Sequence, residues 1–312
     1  MKTCHRDDSS PVAARVEELA TGVFAYIQPD GSWWINNSGF LAAGDHTVLI
    51  DTCATEQRTR RLLDKARQMT GTVVSTVVNT HHHGDHTNGN YLTGAATIIG
   101  HCNTRKVMID TGIRCYEQAF EGVNWGQLRL RPPDVTFDEA LTLYAGDTRV
   151  ELRYVGCPAH TTDDVLVWLP EHSVVFTGDL VVNGATPFAL MGSVAGWRAV
   201  LQQIRQLGAR TIIPGHGDAG GAGTIDVVDN YLAFVERAAH AGIAAGLTPL
   251  QLAQDLNLGE FAALSDCERI VANLHRAYAE LLGHPAGAPV DLRLPIHDMI
   301  TLNGGHRIRC CA

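Results

Sequence analysis

Thr80-His81-His82-His83-Gly84-Asp85-His86 is the segment that says most about the fold of this chain. It places His81, His83, Asp85 and His86 in the spacing H-x-H-x-D-H, so one short turn carries donors for two adjacent metal ions. Imidazole nitrogens suit zinc, and a carboxylate beside them fits a catalytic metal site better than a closed structural one. The apolar stretch before the motif, residues 72–78, is typical of a buried strand that delivers the loop.

Three further candidate metal ligands follow later in the chain, each close to a glycine and to a predicted strand. His160 lies in Gly156-Cys157-Pro158-Ala159-His160, Asp179 follows Gly178 after an apolar run, and His216 follows Gly215 after a β-branched run. Glycine lets the backbone come close to a neighbouring group, which a site built at strand ends requires. Together with the first motif, these residues predict one metal centre.

Together with Asp51, which follows Val48-Leu49-Ile50, these motifs resemble those of the metallo-β-lactamase-fold hydrolases over residues 16–218. The resemblance implies an α/β (α+β) fold, the αββα sandwich. It also implies a ligand set. His81, His83 and His160 would hold one zinc, Asp85, His86 and His216 a second, and Asp179 would bridge both. Asp51 would steady a ligand loop without touching metal. Asp85 and Asp179 would be catalytic and orient the attacking water. Two zinc ions are the expected cofactors, with iron and manganese left open.

Two positions narrow the resemblance. Antibiotic-hydrolysing members with two metals commonly carry Cys at the bridging position, whereas this chain has Asp179. Aspartate there resembles the thioester- and ester-hydrolysing branches. The diiron flavoprotein branch has Glu where this chain has His83, so a redox diiron centre is disfavoured.

A closer resemblance, to the cyclase/thioesterases of type II aromatic polyketide (actinorhodin-type) pathways, covers nearly the whole chain. It is carried by residues 128–133, 159–161, 186–196 and 271–277. It implies a dizinc enzyme that closes a ring by aldol condensation and hydrolyses the thioester, with an acyl carrier protein and an aromatic polyketide as partners. The predicted contacts of such a flat substrate are Trp33, Trp34, Trp125, Asn183, Phe188 and Met191.

The strand and helix patterns predict one domain with two parts. Residues 12–220 would form the catalytic core, and residues 221–312 a helical extension packed on it. Residues 115–133 lack periodicity and are predicted to form an irregular lid or pocket wall. Apolar stripes in the extension, such as Ile225, Val228 and Leu232, would pack on the sandwich or form a homodimer face.

Composition limits the partners and the location. The 312 residues carry a net charge of −9, which disfavours nucleic acid because phosphate binding needs a basic footprint. An acidic carrier protein would need a local basic patch. The candidates are Arg58, Arg60, Arg61 and Lys65 on one helix, or Arg105, Lys106 and Arg114.

The eight cysteines form no C-x-x-C, the first residues have no apolar signal region, and no run reaches membrane-spanning length. A reduced, cytoplasmic protein without a membrane partner is therefore expected.

Three alternatives stay open at this point. A generic dizinc thioester or lactone hydrolase, of the glyoxalase II or quorum-quenching kind, would use the same ligands with a different pocket. A mononuclear-iron sulfur dioxygenase would share part of the set. A metal-binding module without activity is disfavoured, because all seven ligand positions are intact.

Overall fold

A computed structural model describes residues 13–114 and 116–312, so Cys4 and Cys115 lie outside the described residues. The first sheet has seven strands in the order β1-β2-β3-β4-β5-β6-β8. Its four N-terminal strands form one antiparallel meander, and the later strands pair in parallel. The strands are β1 (Arg15–Ala20), β2 (Val23–Ile27), β3 (Ser38–Ala43), β4 (His46–Ile50), β5 (Val74–Val78), β6 (Thr97–His101), β7 (Phe120–Glu121) and β8 (Val135–Phe137), with β7 in a separate ribbon.

The second sheet has five strands in the order β13-β12-β11-β10-β9, and only its β12–β13 pair is parallel. A short ribbon joins β7 to β14 near the C-terminus. The strands are β9 (Ala140–Ala145), β10 (Thr148–Tyr154), β11 (Val165–Leu169), β12 (Val174–Phe176), β13 (Thr211–Ile213) and β14 (Ile308–Arg309).

Eight α-helices complete the described chain. They are α1 (Glu56–Thr70), α2 (Gly84–Thr87), α3 (Cys102–Thr111), α4 (Val194–Gln206), α5 (Ala222–Ala244), α6 (Pro249–Asp255), α7 (Arg269–Leu281) and α8 (Arg293–Leu302). Among the described residues, no helix combines the length and the apolar character needed to cross a membrane.

The two sheets pack face to face with helices outside them, which is the αββα sandwich predicted from the sequence. Val48, Ile50 and Val78 of the first sheet meet Val167 and Phe176 of the second in one buried cluster. The alternate residues of the first sheet, such as Phe40 and Leu49, face Leu62 of α1 in a second cluster. Apolar side chains therefore point to both faces of the first sheet, as expected for a sheet that is buried on both sides.

The helices after residue 220 pack against the outer side of the second sheet. Helix α7 is central to this layer, because its Ile270 and Leu274 are buried with Trp197 of α4 and Leu232 of α5. Two polar side chains of α7 also reach the loop 186–191. Arg276 donates from Nε and Nη2 to the carbonyl of Leu190, and the Asn273 amide bonds the backbone of Ala189 and Pro187. The division of the chain at residue 220 stays a prediction.

Several elements differ from the sequence-based expectation. The apolar pattern predicts strands over residues 16–28 and 39–50, with a turn at Gly44 and Asp45. In the structure the first of these is split into β1 and β2 by a turn at Thr21 and Gly22, where Gly22 has φ +73°. The expected turn at Gly44 and Asp45 between β3 and β4 is present. Strands β8 and β9 and helix α8 escaped prediction. β8 is only three residues long, which is too short to establish a period. β9 alternates between exposed and less exposed residues, with Leu141 and Leu143 on the less exposed face, and this alternation was an available strand signal.

Gly192 lies where the loop 186–191 meets the chain before His160. A Cβ built on it would be 1.9 Å from the carbonyl oxygen of Ala159, which is part of the backbone and cannot move aside. We expect Gly192→Ala to lower the free energy of unfolding by about 3 kcal/mol or more, in the range of severe overpacking. Chemical denaturation measures this.

The matched control is Gly223→Ala in the first turn of α5, where a Cβ meets nothing within 4 Å. This substitution should be neutral or stabilise by roughly 0.5 kcal/mol, because alanine restricts the unfolded chain. Equal effects of the two alanine substitutions would contradict the close approach at Gly192.

Candidate metal centre

Asp51 fixes the start of the metal-binding loop. It follows β4 in a left-handed conformation, with φ +57°, and is buried. Its Oδ1 accepts from the backbone N–H of Thr80 at 2.8 Å, and its Oδ2 accepts from the Thr80 hydroxyl at 2.7 Å. The same Oδ2 lies 2.8 Å from His86 Nδ1. The Asp51 carboxylate therefore links Thr80, directly after β5, to His86 in α2.

His82 anchors the middle of the same loop, a role that the sequence reasoning missed. Its Nδ1 lies 2.7 Å from Asp163 Oδ1, and the Thr104 hydroxyl donates to Asp163 Oδ2 at 2.7 Å. Burial opposes the charged imidazole, but the Asp163 carboxylate outweighs it and raises the pKa of His82. The position of His82 between two candidate ligands was the available signal, because such a loop needs its intervening side chain held.

The seven candidate ligands meet in two groups that share Asp179. His81, His83, His160 and Asp179 form one group, and Asp85, His86, Asp179 and His216 form the other. Within each group one donor atom from every residue lies within 4.8 Å of the rest. The structure therefore brings all seven predicted residues together at the ends of β5, β12 and β13 and in the loop before β11.

Distances within the groups are short for side chains that share no covalent link. His160 Nε2 lies 2.9 Å from His83 Nδ1, and His216 Nε2 lies 3.2 Å from Asp85 Oδ2 and 3.3 Å from Asp179 Oδ2. Ligand atoms about 2.0 Å from one tetrahedral zinc lie only a little over 3 Å apart. The spacing therefore suits donors that converge on common ions.

The protonation pattern of the imidazoles also fits metal binding. The Thr80 hydroxyl gives its single proton to Asp51, so His81 Nδ1 must donate to the hydroxyl oxygen, at 3.1 Å. His160 Nδ1 must likewise donate to the carbonyl of Phe188, at 2.8 Å. In each neutral ring the other nitrogen, Nε2, then carries a free lone pair, as a metal ligand needs.

Two ring nitrogens of these residues, His81 Nε2 and His83 Nε2, are buried without a hydrogen-bond partner in the described chain. Buried polar atoms left unpaired are rare and costly in folded proteins. Their concentration here means that the residues fit a pair of divalent cations.

Burial and charge divide the histidines into two sets. Burial and neighbouring imidazoles lower the pKa of His81 and His83 well below the usual range, and burial lowers the pKa of His160 to about 4. Burial opposes protonation of His216 too, but Asp179 and Asp85 raise the pKa of His216 to about 9. Because ligands must be deprotonated, metal binding would displace a proton from His216.

A cavity of about 670 Å³ opens onto this cluster. His83, Asp85, His160, Asp179 and His216 form its floor, and mostly apolar side chains form its walls. The walls come from four places: the loop after β2, the segment 107–131, the loop 186–191, and the extension. The wall side chains include Trp33, Trp34, Tyr116, Phe120, Phe188, Leu190, Met191, Ile296 and Met299.

Four of the six predicted substrate contacts, Trp33, Trp34, Phe188 and Met191, line this cavity. Trp125 stands behind the wall, with its ring centroid 4.8 Å from that of Trp34. Asn183 is outside the lining, because its side chain donates to the carbonyl of Asp218 at 2.8 Å and its backbone N–H bonds His216.

The extension supplies a charged support for the aromatic wall that the sequence reasoning did not identify. Trp33 Nε1 donates to Glu268 at 2.6 Å, and its backbone N–H donates to Asp266 at 2.9 Å. The Arg269 guanidinium stacks 3.9 Å above the Trp33 ring and pairs with Asp266. Burial and the neighbouring Asp266 raise the pKa of Glu268 to about 7. Only contacts between distant segments reveal these roles.

A family model described as the metallo-beta-lactamase superfamily matches residues 31–216. The chain belongs to the metallo-beta-lactamase superfamily. Its known members are metal-dependent hydrolases, and the two donor groups described above suit a dimetal site.

Individual relatives of this superfamily are distant. The chain is 24% identical over 230 residues to a metallo-beta-lactamase type 2 from Bacteroides fragilis, covering 70% of this chain and 86% of the relative. It is 25% identical over 215 residues to an atrochrysone carboxyl ACP thioesterase from Aspergillus aculeatus, covering 66% and 59%. Among solved structures, a metallo-beta-lactamase from Pontibacter korlensis matches with a TM-score of 0.60 at 20% identity, covering 71% of this chain and 99% of that one. The structural likeness shows the fold.

Removal of the negative charge at Asp51 tests its role in the metal centre. In Asp51→Asn, the amide can replace only one acceptor oxygen, so Thr80 or His86 loses its partner. We expect zinc affinity to fall about 10- to 100-fold, the usual effect of losing such a supporting contact. Titration against a competing chelator measures this. The control is Asp45→Asn in the exposed β3–β4 turn. Unchanged zinc affinity in Asp51→Asn would contradict the role.

Glu268 predicts a pH dependence of folding. Its pKa is about 7 in the folded protein and about 4.3 in an unfolded chain, so only the folded state keeps the proton between these values. Stability should therefore decrease as pH rises from about 4.5 to 7, by at most about 3 kcal/mol. Glu268→Gln keeps an acceptor for Trp33 and removes the titration. It should gain stability over the wild type at pH 8 and match it near pH 4.5.

Denaturant titrations at both pH values provide the measurement, with the exposed Glu260→Gln as control. A constant difference between Glu268→Gln and the wild type at the two pH values would show that Glu268 does not titrate as described.

Proposed function

We propose that the protein is a dizinc cyclase/thioesterase that acts on an aromatic polyketide bound to an acyl carrier protein. It would close a ring by aldol condensation and hydrolyse the thioester. The cavity of about 670 Å³ with aromatic and aliphatic walls and a floor of metal donors carries this proposal. Its volume falls in the range of pockets that enclose a small organic molecule of several rings. The match to an ACP thioesterase supports the same class of substrate.

When bound, two zinc ions would polarise an acyl or ketone carbonyl and lower the pKa of water to about 7. Asp85 and Asp179 both face the cavity, so their carboxylates can accept a proton from the attacking water and orient its lone pair towards the substrate. A thiolate leaves readily because the pKa of a thiol is only about 8.5. Thioester hydrolysis therefore needs no dedicated general acid at this site.

The apolar walls of the cavity would favour ring closure by holding the substrate in a folded conformation. Trp33 and Phe188 meet edge to face, with ring centroids 5.1 Å apart, and Trp34 meets Phe120 in the same way at 5.6 Å. These packed rings form rigid apolar surfaces that can hold a flat substrate and exclude water. Restricting a flexible chain in this way favours an intramolecular carbon–carbon bond over other reactions.

A generic dizinc thioester or lactone hydrolase would use the same donor groups. The size and apolar character of the cavity favour a large aromatic acyl group over a hydrophilic glutathione conjugate. The choice between the two functions therefore depends on the cavity walls.

The zinc-loaded enzyme should release a free, further-cyclised acid from an aromatic poly-β-ketone thioester loaded on an acyl carrier protein. Mass spectrometry of both products follows the reaction. His83→Ala should lower the rate more than about 100-fold, because loss of a ligand costs more than loss of a supporting contact. Chelation should abolish activity, and added zinc should restore it. The exposed His284→Ala is the matched control.

Turnover of a glutathione thioester or a lactone, with the carrier-bound substrate left intact, would refute the polyketide function and favour the generic hydrolase. Full activity of His83→Ala would refute the metal centre itself.

A further inference from the structure

Exposed residues from three segments surround the opening of the cavity. They are Ile113 and Arg114 after α3, Arg129 and Leu130 before β8, and Arg293 at the start of α8, and we call them the cationic rim. Ile113 and Leu130 are 38% and 42% exposed, which is high for large apolar side chains. The rim therefore combines positive charge with accessible apolar surface.

Two of the three arginines of the rim, Arg114 and Arg129, are not neutralised by a carboxylate of the described chain, whereas Arg293 pairs with Asp291. In residues 13–114 and 116–312, neither Arg114 nor Arg129 has a carboxylate within 4 Å in a salt bridge. The acidic residues of the opening have partners of their own, because Asp110 pairs with Lys106 and Asp291 pairs with Arg293. A local positive excess thus stands at the cavity mouth of a chain whose net charge is −9.

The two basic patches considered from the sequence fare differently. On α1, Arg60 pairs with Glu56, and Arg58 bonds the uncharged side chain of Gln28 and the carbonyl of Cys311. Neither residue lines the cavity. Of the second patch only Arg114 lies at the opening.

We propose that the cationic rim is the docking surface for an acidic acyl carrier protein, an inference that rests on the proposed function. A thioester carbonyl at Asp85 and Asp179 must be reached through the cavity mouth while the carrier itself stays outside. The carrier's prosthetic arm is attached through an anionic phosphodiester, which would lie at the mouth in this arrangement. Arg114 and Arg129 match that charge and the acidic surface around it.

The apolar residues of the rim complete the surface. Ile113 and Leu130 offer exposed area beside the two arginines, and burial of such area supplies binding free energy that does not depend on salt. The arginines speed the encounter of the two proteins and orient the carrier. Both contributions act at the mouth of the cavity rather than at the metal donors, so they act mainly on substrates delivered by the carrier.

The test compares one acyl group on two thiols, an acyl carrier protein and N-acetylcysteamine. In Arg114→Glu/Arg129→Glu, kcat/KM for the carrier-bound thioester should fall about 10- to 1,000-fold through KM, as expected when steering is reversed. The value for the N-acetylcysteamine thioester should fall much less, so that the ratio of the two kcat/KM values changes at least about tenfold. High salt should weaken the wild type towards the variant. The control, Arg210→Glu/Arg237→Glu, makes the same charge change at exposed positions outside the cavity lining.

Binding of a fluorescently labelled holo acyl carrier protein provides a readout that does not need turnover. Its Kd should rise at least about tenfold in the rim variant and remain unchanged in the control. Equal binding to wild type and rim variant would overturn the docking surface, as would equal loss with both thioesters. Intact carrier binding without hydrolysis of either thioester would refute the proposed function and leave the docking surface supported.

Discussion

Asp179 is the side chain on which the site depends, because its buried carboxylate belongs to both donor groups. His86 Nε2 lies 3.0 Å from one of its oxygens, and His216 Nε2 lies 3.3 Å from the other. Burial alone would favour a neutral acid, but the imidazoles of His216 and His86 hold the pKa of Asp179 well below its usual range. A carboxylate kept ionised among imidazoles is suited to bridge two cations. Apart from His160 in the loop before β11, the donors of the two groups follow β5 of the first sheet and β12 and β13 of the second, so the ends of these strands must lie at the same edge of the sandwich.

The extension is coupled to this centre through the loop 186–191. Phe188 accepts from His160 through its carbonyl and lines the cavity with its ring. Its neighbours Ala189 and Leu190 are held by Asn273 and Arg276 of α7. One short loop therefore fixes the orientation of a candidate ligand and the shape of the substrate cavity together. A change in α7 should reach both of them through hydrogen bonds to backbone atoms, which substitutions in the loop itself would leave in place.

The αββα fold and the set of seven donors could be predicted through the family resemblance, because the motifs that carry this resemblance are local in the sequence. The H-x-H-x-D-H motif and the glycines before Asp179 and His216 each come just after a predicted strand, so the sequence indicates that these donors lie at strand ends. The contact of His82 with Asp163 spans 81 residues, and that of Trp33 with Glu268 spans 235, so no local pattern contains them. Short elements such as β8 escaped for a different reason, since three residues do not establish a period. The prediction for Asn183 could not foresee that its side chain bonds the carbonyl of Asp218 instead of facing the cavity, because that carbonyl lies 35 residues away in the sequence.

The family match covers all of the metal donors but only part of the cavity lining. The match ends at residue 216, so it includes every candidate metal ligand. Arg269, Arg276, Ile296 and Met299 line the cavity from beyond that point, as does the segment 287–293. The metal donors therefore lie entirely within the matched region, whereas the cavity walls are shared between that region and the extension. Because the walls of a cavity decide which carbonyl can reach the donors, the choice of substrate in the proposed reaction would depend on the extension and on Trp33, which the extension holds, as well as on the matched region.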